Sequence, residues 1–264
     1  MTDRVVIFLH LPKAAGSTLN RVIAQQYPPE AIYKLGGKTP DVIAQELAEG
    51  TRPAGMIRLV AGHVGFGIHT AVTEDFTYIT MLRDPVERLL SHYHFARKLQ
   101  THPLHAEIAS GQLTLRDVAR QVANLQTRYL ADEVVRGTAE TAGREALASA
   151  KKNLQRHFSV VGLAERFDES LILLQRRLGW KVRAVANSNV TRGRPMRTTH
   201  SDEDLAAIRE ANALDLELYE WARTRFAAEV ADAGLGFRTA VGWLRARQRA
   251  LRFRPGFLRS AAER

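Results

Sequence analysis

The residues Pro12-Lys13-Ala14-Ala15-Gly16-Ser17-Thr18 lie between a β-branched apolar run and a stretch with helical spacing. A loop at such a junction turns backbone N–H groups and a helix N-terminus toward an anion, and small residues let the backbone approach closely. Lys13 adds a point charge, and Ser17 and Thr18 add hydroxyl donors. An ordinary strand-to-helix turn with a surface lysine satisfies the same spacing. A Walker A loop carries its lysine near the end, after Gly-x-x-x-x-Gly. Here Lys13 comes first, which disfavours a kinase or ATPase.

A second anion-binding pattern spans Leu82 to Tyr93, where Arg83 ends a strand and Ser91 lies about two turns along the next helix. Both reach one phosphate only if it lies over that helix's first turns; pairing of Arg83 with Asp84 or Glu87 is the bland alternative. Between the two patterns stands Gly62-His63-Val64-Gly65-Phe66-Gly67, an open Gly-rich loop. A histidine, with an ordinary pKa of about 6.5, is suited to take a proton from an alcohol, although a lone loop histidine also serves as mere polar filling.

These groups need elements that bring them together. Val5 to Leu9, Ile57 to Ala61, Thr77 to Leu82 and Phe158 to Leu163 read as strands, and Leu19 to Gln26 reads as a helix. Asp84, Pro85 and Glu87 form a helix start with a variant capping box. Helices are expected at Thr114 to Ala131, Glu140 to His157, Asp168 to Leu178 with Asp168 as cap, and Asp202 to Ala231 capped by Ser201. Strands alternating with helices imply a parallel α/β sheet with helices on both faces. In that arrangement the loops after the strands share one edge, so Lys13, His63 and Arg83 should converge on one crevice.

The 264 residues, 45% hydrophobic and 25% charged, are enough for one substantial core. The absence of cysteine excludes disulfides, thiolate metal sites and cysteine nucleophiles. No apolar run is long enough for a signal peptide or a membrane span, so a soluble, cytoplasmic protein is expected. The net charge of +10 favours anionic partners. Seven arginines against one acid between Trp243 and Arg264 mark residues 241–264 as a basic segment beyond a domain at 1–240. That segment reads either as a solvated tail or as a peripheral membrane or glycan contact. His92 and His94 face different directions on a helix, which makes them a poor metal pair, and no acidic cluster resembles a metal site.

The Lys13 loop resembles the 5′-phosphosulfate loop of carbohydrate sulfotransferases of the heparan sulfate 2-O- and 6-O-type and their bacterial relatives. Arg83 to Ser91 resembles the motif in which arginine and serine hold the 3′-phosphate of 3′-phosphoadenosine 5′-phosphosulfate (PAPS). Gly62-His63-Val64 is similar to the 2-O-sulfotransferase segment containing the catalytic base. The likeness runs from about residue 4 to 230, through Asn124 to Leu130 and Val161 to Phe167. It implies a P-loop-like three-layer α/β/α fold with a central, mostly parallel sheet and helical additions. It also implies PAPS as donor, adenosine 3′,5′-bisphosphate (PAP) as product, and no metal. By this resemblance Lys13, Ala14, Ala15, Gly16, Ser17, Thr18, Arg83 and Ser91 bind the cofactor, His63 is the base, and Lys13 assists catalysis. Arg192 and Arg194 would be second grips on the 3′-phosphate, or else an exposed basic turn. Arg88, Arg97 and Arg128 would line the cleft for a hydroxylated acceptor, a glycan or glycolipid rather than a nucleic acid, and Asn124, Gln126 and Arg128 would touch acceptor or cofactor, or else lie on a solvated helix face. The loop departs from the Lys-Thr-Gly-Gly and Lys-Thr-Ala-Ser forms frequent in the family, and the eukaryotic enzymes carry a Golgi membrane anchor that is not read here. A nucleotide-dependent kinase and a non-catalytic polyanion binder are the rival readings.

Overall fold

A computed structural model describes residues 4–36, 42, 45–46, 56–72, 75–184 and 200–252. Five parallel strands form one sheet: β1 (Val5–Leu9), β2 (Ile32–Lys34), β3 (Leu59–Gly62), β4 (Phe76–Leu82) and β5 (Phe158–Leu163), in the order β2-β3-β1-β4-β5. This is the expected P-loop-like α/β architecture. Every residue of β1 is at most 3% exposed. A strand covered on both faces reads as an unbroken apolar run for that reason, and each such side chain contributes about 1.5–3 kcal/mol by burial.

Ten helices were found among the described residues: α1 (Gly16–Ile23), α2 (Pro85–Lys98), α3 (His105–Ala109), α4 (Leu115–Gln121), α5 (Leu125–Leu130), α6 (Arg144–Arg156), α7 (Phe167–Leu178), α8 (Asp202–Ala211), α9 (Ala213–Asp232) and α10 (Gly234–Arg252). β1 lies between β3 and β4: the chain runs from β1 to the edge strand β2, returns through β3 and crosses to β4 on the other side of β1. A crevice therefore opens at the carboxyl end of β1. Lys13 follows β1, His63 follows β3 and Arg83 follows β4, so the topology puts the lysine between the other two.

Two helices expected to be continuous are broken, and each break caps the other. Asn124 adopts a left-handed backbone with φ 49°, separating α4 from α5, and Asn212 separates α8 from α9. Asn124 Oδ1 accepts from the N–H groups of Leu214 and Asp215 at 3.0 and 3.2 Å, and Asn212 Oδ1 accepts from Asn124 N–H at 3.3 Å. The Asp215 carboxylate takes the N–H groups of Gln126 and Thr127 at 3.0 and 2.7 Å. Orphan donors at two helix starts are thus satisfied across the interface rather than locally.

At α2, Asp84 Oδ1 caps Glu87 N–H at 2.9 Å, but the Asp84 N–H goes to Glu165 Oε1 at 3.1 Å instead of completing a capping box. Asp168 stands in the first turn of α7 rather than at its cap, and pairs with Arg245 at 3.3 Å. Ser201 caps α8 through Asp204 N–H as expected. α10 crosses the boundary expected at residue 240, with Phe237, Val241 and Leu244 buried in the main core.

Candidate active site

Lys13 and Ala15 both hold left-handed backbone conformations, with φ 66° and 62°. Non-glycine residues pay for such geometry, about 1–3 kcal/mol each. The two reversals tuck Ala14 into the core at 1% exposure and start α1 at Gly16, so Gly16, Ser17 and Thr18 form the helix's first turn. A Cβ on Gly16 would lie 1.7 Å from His10 Nε2, so only glycine lets the helix start pass the His10 ring. Thr18 Oγ1 is buried and has no hydrogen-bond partner among the described residues.

Arg83 ties the loop to the second motif. Its Nη1 donates to the Lys13 carbonyl at 3.0 Å, while Lys13 Nζ sits 3.7 Å from the centroid of the Phe95 ring on α2. The Arg83 backbone is gripped from both sides by one side chain: its N–H donates to Gln126 Oε1 at 3.0 Å, and Gln126 Nε2 donates to its carbonyl at 2.9 Å. Gln126 is 1% exposed, so it holds the arginine rather than facing an acceptor. Arg88, at 0% exposure on the inner face of α2, is likewise closed to an acceptor. Asn124 is occupied in capping, Arg128 donates to the Ala123 carbonyl at 3.3 Å, and Arg97 is exposed in the last turn of α2. None of these five lines the crevice.

The imidazole of His63 is exposed and stacks on His10, with ring centroids 4.1 Å apart. Its Nδ1 lies 2.7 Å from the His10 carbonyl. A carbonyl only accepts, so neutral His63 carries its proton on Nδ1 and keeps the lone pair on Nε2. Burial, and secondarily His63, holds His10 down to about 4. Burial first, then the Arg88 charge, followed by His102 and Lys13, lowers His92 to about 4 as well.

These two depressed pKa values have a consequence for stability. Between the ordinary value of 6.5 and about 4, the unfolded chain binds protons that the folded chain does not. The contribution is therefore complete above about pH 6.5 and is lost as pH falls toward 4. The slope approaches about 1.4 kcal/mol per pH unit for each histidine. Denaturant titrations from pH 7 to 4 should show this slope, and His92→Gln should flatten it.

Lys13, Ser17, Thr18, His63, Arg83 and Ser91 line a single cavity of about 730 Å³. Its volume suits a nucleotide-sized ligand. A lysine, an arginine, hydroxyls and a helix start are the donor set that a doubly phosphorylated nucleotide requires, and the orphaned Thr18 hydroxyl lies among them. His10, His92, Phe95, His102 and Glu165 also line the cavity, none of them in the expected ligand set. From sequence, His10 stands out as the residue immediately after β1 and Glu165 as the second residue after β5. Arg192 and Arg194 lie outside the described residues. A second groove of about 870 Å³ runs beside β5 and α9, where Arg177 pairs with Glu229 at 3.0 Å and Arg225 packs over Trp221. It contains none of the residues expected to bind phosphate.

A family model described as galactose-3-O-sulfotransferase matches residues 2–255. Galactose-3-O-sulfotransferase 3 of Mus musculus is 32% identical over 219 residues, covering 76% of this chain and 50% of that protein. Galactosylceramide sulfotransferase of Bos taurus is 25% identical over 233 residues, covering 82% and 55%. Heparan-sulfate 6-O-sulfotransferase 3-B of Danio rerio is 26% identical over 275 residues, covering 85% and 64%. The chain thus spans less than two thirds of the length of each. In fold it is similar to the crystal structure of mouse sulfotransferase SULT7A1 complexed with PAP, with a TM-score of 0.50, 13% identity, and coverage of 84% of this chain and 90% of that one. The expected cytoplasmic location does not stand against these relatives, a galactosylceramide, a galactose-3-O- and a heparan-sulfate sulfotransferase. No described helix is long and apolar enough to cross a membrane.

Proposed function

The chain belongs to the galactose-3-O-sulfotransferase family, and from that premise we propose that it transfers a sulfuryl group from PAPS to a hydroxyl of a carbohydrate or glycolipid. The observation that carries this reading is the meeting of Lys13, His63, Arg83 and Ser91 around one cavity. A galactoside is the leading acceptor, by the family's description and the names of two relatives.

In this reading Arg83 and Ser91 hold the 3′-phosphate, and Lys13 with the first turn of α1 holds the 5′ end. When bound, PAPS supplies an electrophilic sulfur and a phosphate leaving group. His63 Nε2 takes the proton as the hydroxyl oxygen bonds to sulfur, and the sulfur–oxygen bond to the phosphate breaks with its electron pair staying on the phosphate. Lys13 Nζ and the loop N–H groups stabilise that developing charge. The hydrogen bond to the His10 carbonyl supports this role for His63, since it leaves Nε2 unprotonated and turned away from the backbone. Ligation of the phosphates by charged side chains needs no divalent ion, and we expect full activity in chelator.

Thermal denaturation with PAP or with ATP and magnesium separates this reading from a kinase. PAP at 100 times its Kd should stabilise by about 2.7 kcal/mol. Stabilisation by ATP and magnesium with none by PAP would sink the proposal. Transfer of label from PAPS to a panel of galactosides and glycosaminoglycans then identifies the acceptor.

Gln126→Ala tests the support beneath Arg83. Loss of the two bonds to the Arg83 backbone should weaken PAP binding by roughly tenfold and destabilise the fold by about 1–3 kcal/mol. Calorimetric titration measures the first effect, and equal PAP affinity in the variant would free Arg83 from this clamp.

A further inference from the structure

The helix α10 has an outward face that the other described residues leave exposed. Phe237, Val241 and Leu244 turn inward, whereas Leu235 is 80% exposed and Trp243 63% exposed. At helical spacing Leu235, Thr239, Trp243, Arg247 and Ala250 form one stripe, and all five are exposed. The Arg247 guanidinium lies 5.2 Å from the Trp243 ring centroid, Arg238 and Arg249 are exposed on the other flank of the stripe, and Arg245 on that flank pairs with Asp168. Residues 234–252 include five arginines and no aspartate or glutamate.

We propose that this face of α10 docks on an anionic lipid bilayer. A tryptophan belongs at the level of the headgroups, and arginines beside it reach lipid phosphates while their stems cover apolar surface. Charge complementarity selects this occupant. A second copy would oppose Arg238, Arg247 and Arg249 to their own counterparts, with no acid on the helix to relieve them. A soluble sulfated glycan would engage the arginines but would leave Leu235 in water.

The position of the face gives docking a use. Arg245 pairs with Asp168 at the start of α7, three residues after Glu165 in the cavity wall, while Arg176 near the end of α7 donates to the Ala233 carbonyl at 2.9 Å. α10 therefore runs antiparallel to α7, and its arginine-rich end lies at the end of the sheet where the cavity is formed. The chain beyond it carries Phe253, Arg254, Phe257, Leu258 and Arg259, the same mixture of residue types.

Cosedimentation of the full chain with vesicles tests the proposal. Binding should be strong to phosphatidylcholine vesicles containing phosphatidylglycerol, weak to pure phosphatidylcholine, and reduced as salt rises from about 0.1 M to about 1 M. Removing charge with Arg247→Gln and Arg249→Gln should lower partition about fivefold per arginine. Trp243→Ala should lower it roughly tenfold. Trp243 is exposed, so its variant should keep the wild-type melting midpoint; if it does not fold, the two arginine variants carry the test. Equal binding to neutral and anionic vesicles, or unchanged partition in the variants, would overturn the proposal. So would loss of vesicle binding to a polysulfated glycan competitor with Trp243→Ala behaving as wild type, which would assign the arginines to a glycan. Vesicle binding requires neither donor nor acceptor, so it fails or succeeds independently of sulfuryl transfer.

Discussion

His63→Ala should lower turnover by roughly 10²-fold or more while leaving PAP affinity nearly unchanged. The imidazole is exposed at the cavity and bonded only through Nδ1 to the His10 carbonyl among the described contacts, so its removal takes no donor from the residues proposed to bind phosphate. The separation of the two effects is the point of the experiment. Pre-steady-state transfer gives the first quantity and calorimetric titration with PAP the second. If PAP affinity falls as far as turnover does, His63 is a phosphate ligand and not the base.

His10 is the rival for that role, and the structure argues against it. Its ring lies between Phe8 and His63, with centroids 5.1 and 4.1 Å away, and Gly16 packs on its Nε2 edge. A base needs room for the hydroxyl it deprotonates, and on this ring Gly16 takes the space at the Nε2 edge. His10→Asn should therefore disturb loop geometry and stability more than the chemical step. Loss of turnover in His10→Asn together with near-normal turnover in His63→Ala would reverse the assignment.

Lys13→Ala should damage both binding and chemistry, with kcat/KM falling by roughly 10²–10³-fold and PAP affinity falling alongside it. Alanine already occupies a left-handed position two residues later, at φ 62°, so the substitution tests the amine more than the loop's shape. The lysine's contribution is largest where charge develops on the departing phosphate, which makes the loss in turnover exceed the loss in affinity. Single-turnover transfer at saturating PAPS isolates that component. A variant that recovers full turnover at saturating PAPS would reduce Lys13 to a binding residue. Because Arg83 holds the Lys13 carbonyl and not its amine, the loop should remain closed on the second motif in this variant.

The difference between the two variants depends on where the elements set each side chain. The loops after β1, β3 and β4 were legible because β-branched runs followed by Gly-rich or capping sequences announce a parallel sheet, and a parallel sheet aligns its loops. β2 was missed because three residues at a sheet edge carry too little periodicity to stand out. The helix breaks at Asn124 and Asn212 were missed for another reason: the side chains that stabilise them lie 88 positions apart. A local reading saw only uninterrupted helical spacing.

The sequence by itself determined the chemistry that can meet in this protein: a lysine loop, a histidine loop and an arginine–serine helix, each attached to its own strand. That information is local, because motif spacing and strand patterning need only neighbouring residues. Tertiary structure alone decided which polar groups support the site and which take part in it. Gln126 and Arg88 look like cleft residues when read along the chain, yet burial makes the first a clamp on Arg83 and closes the second to any acceptor. The tautomer of His63 also depends on a carbonyl supplied by another strand's end. Such partners are chosen by packing between distant segments, and no short stretch of sequence encodes them.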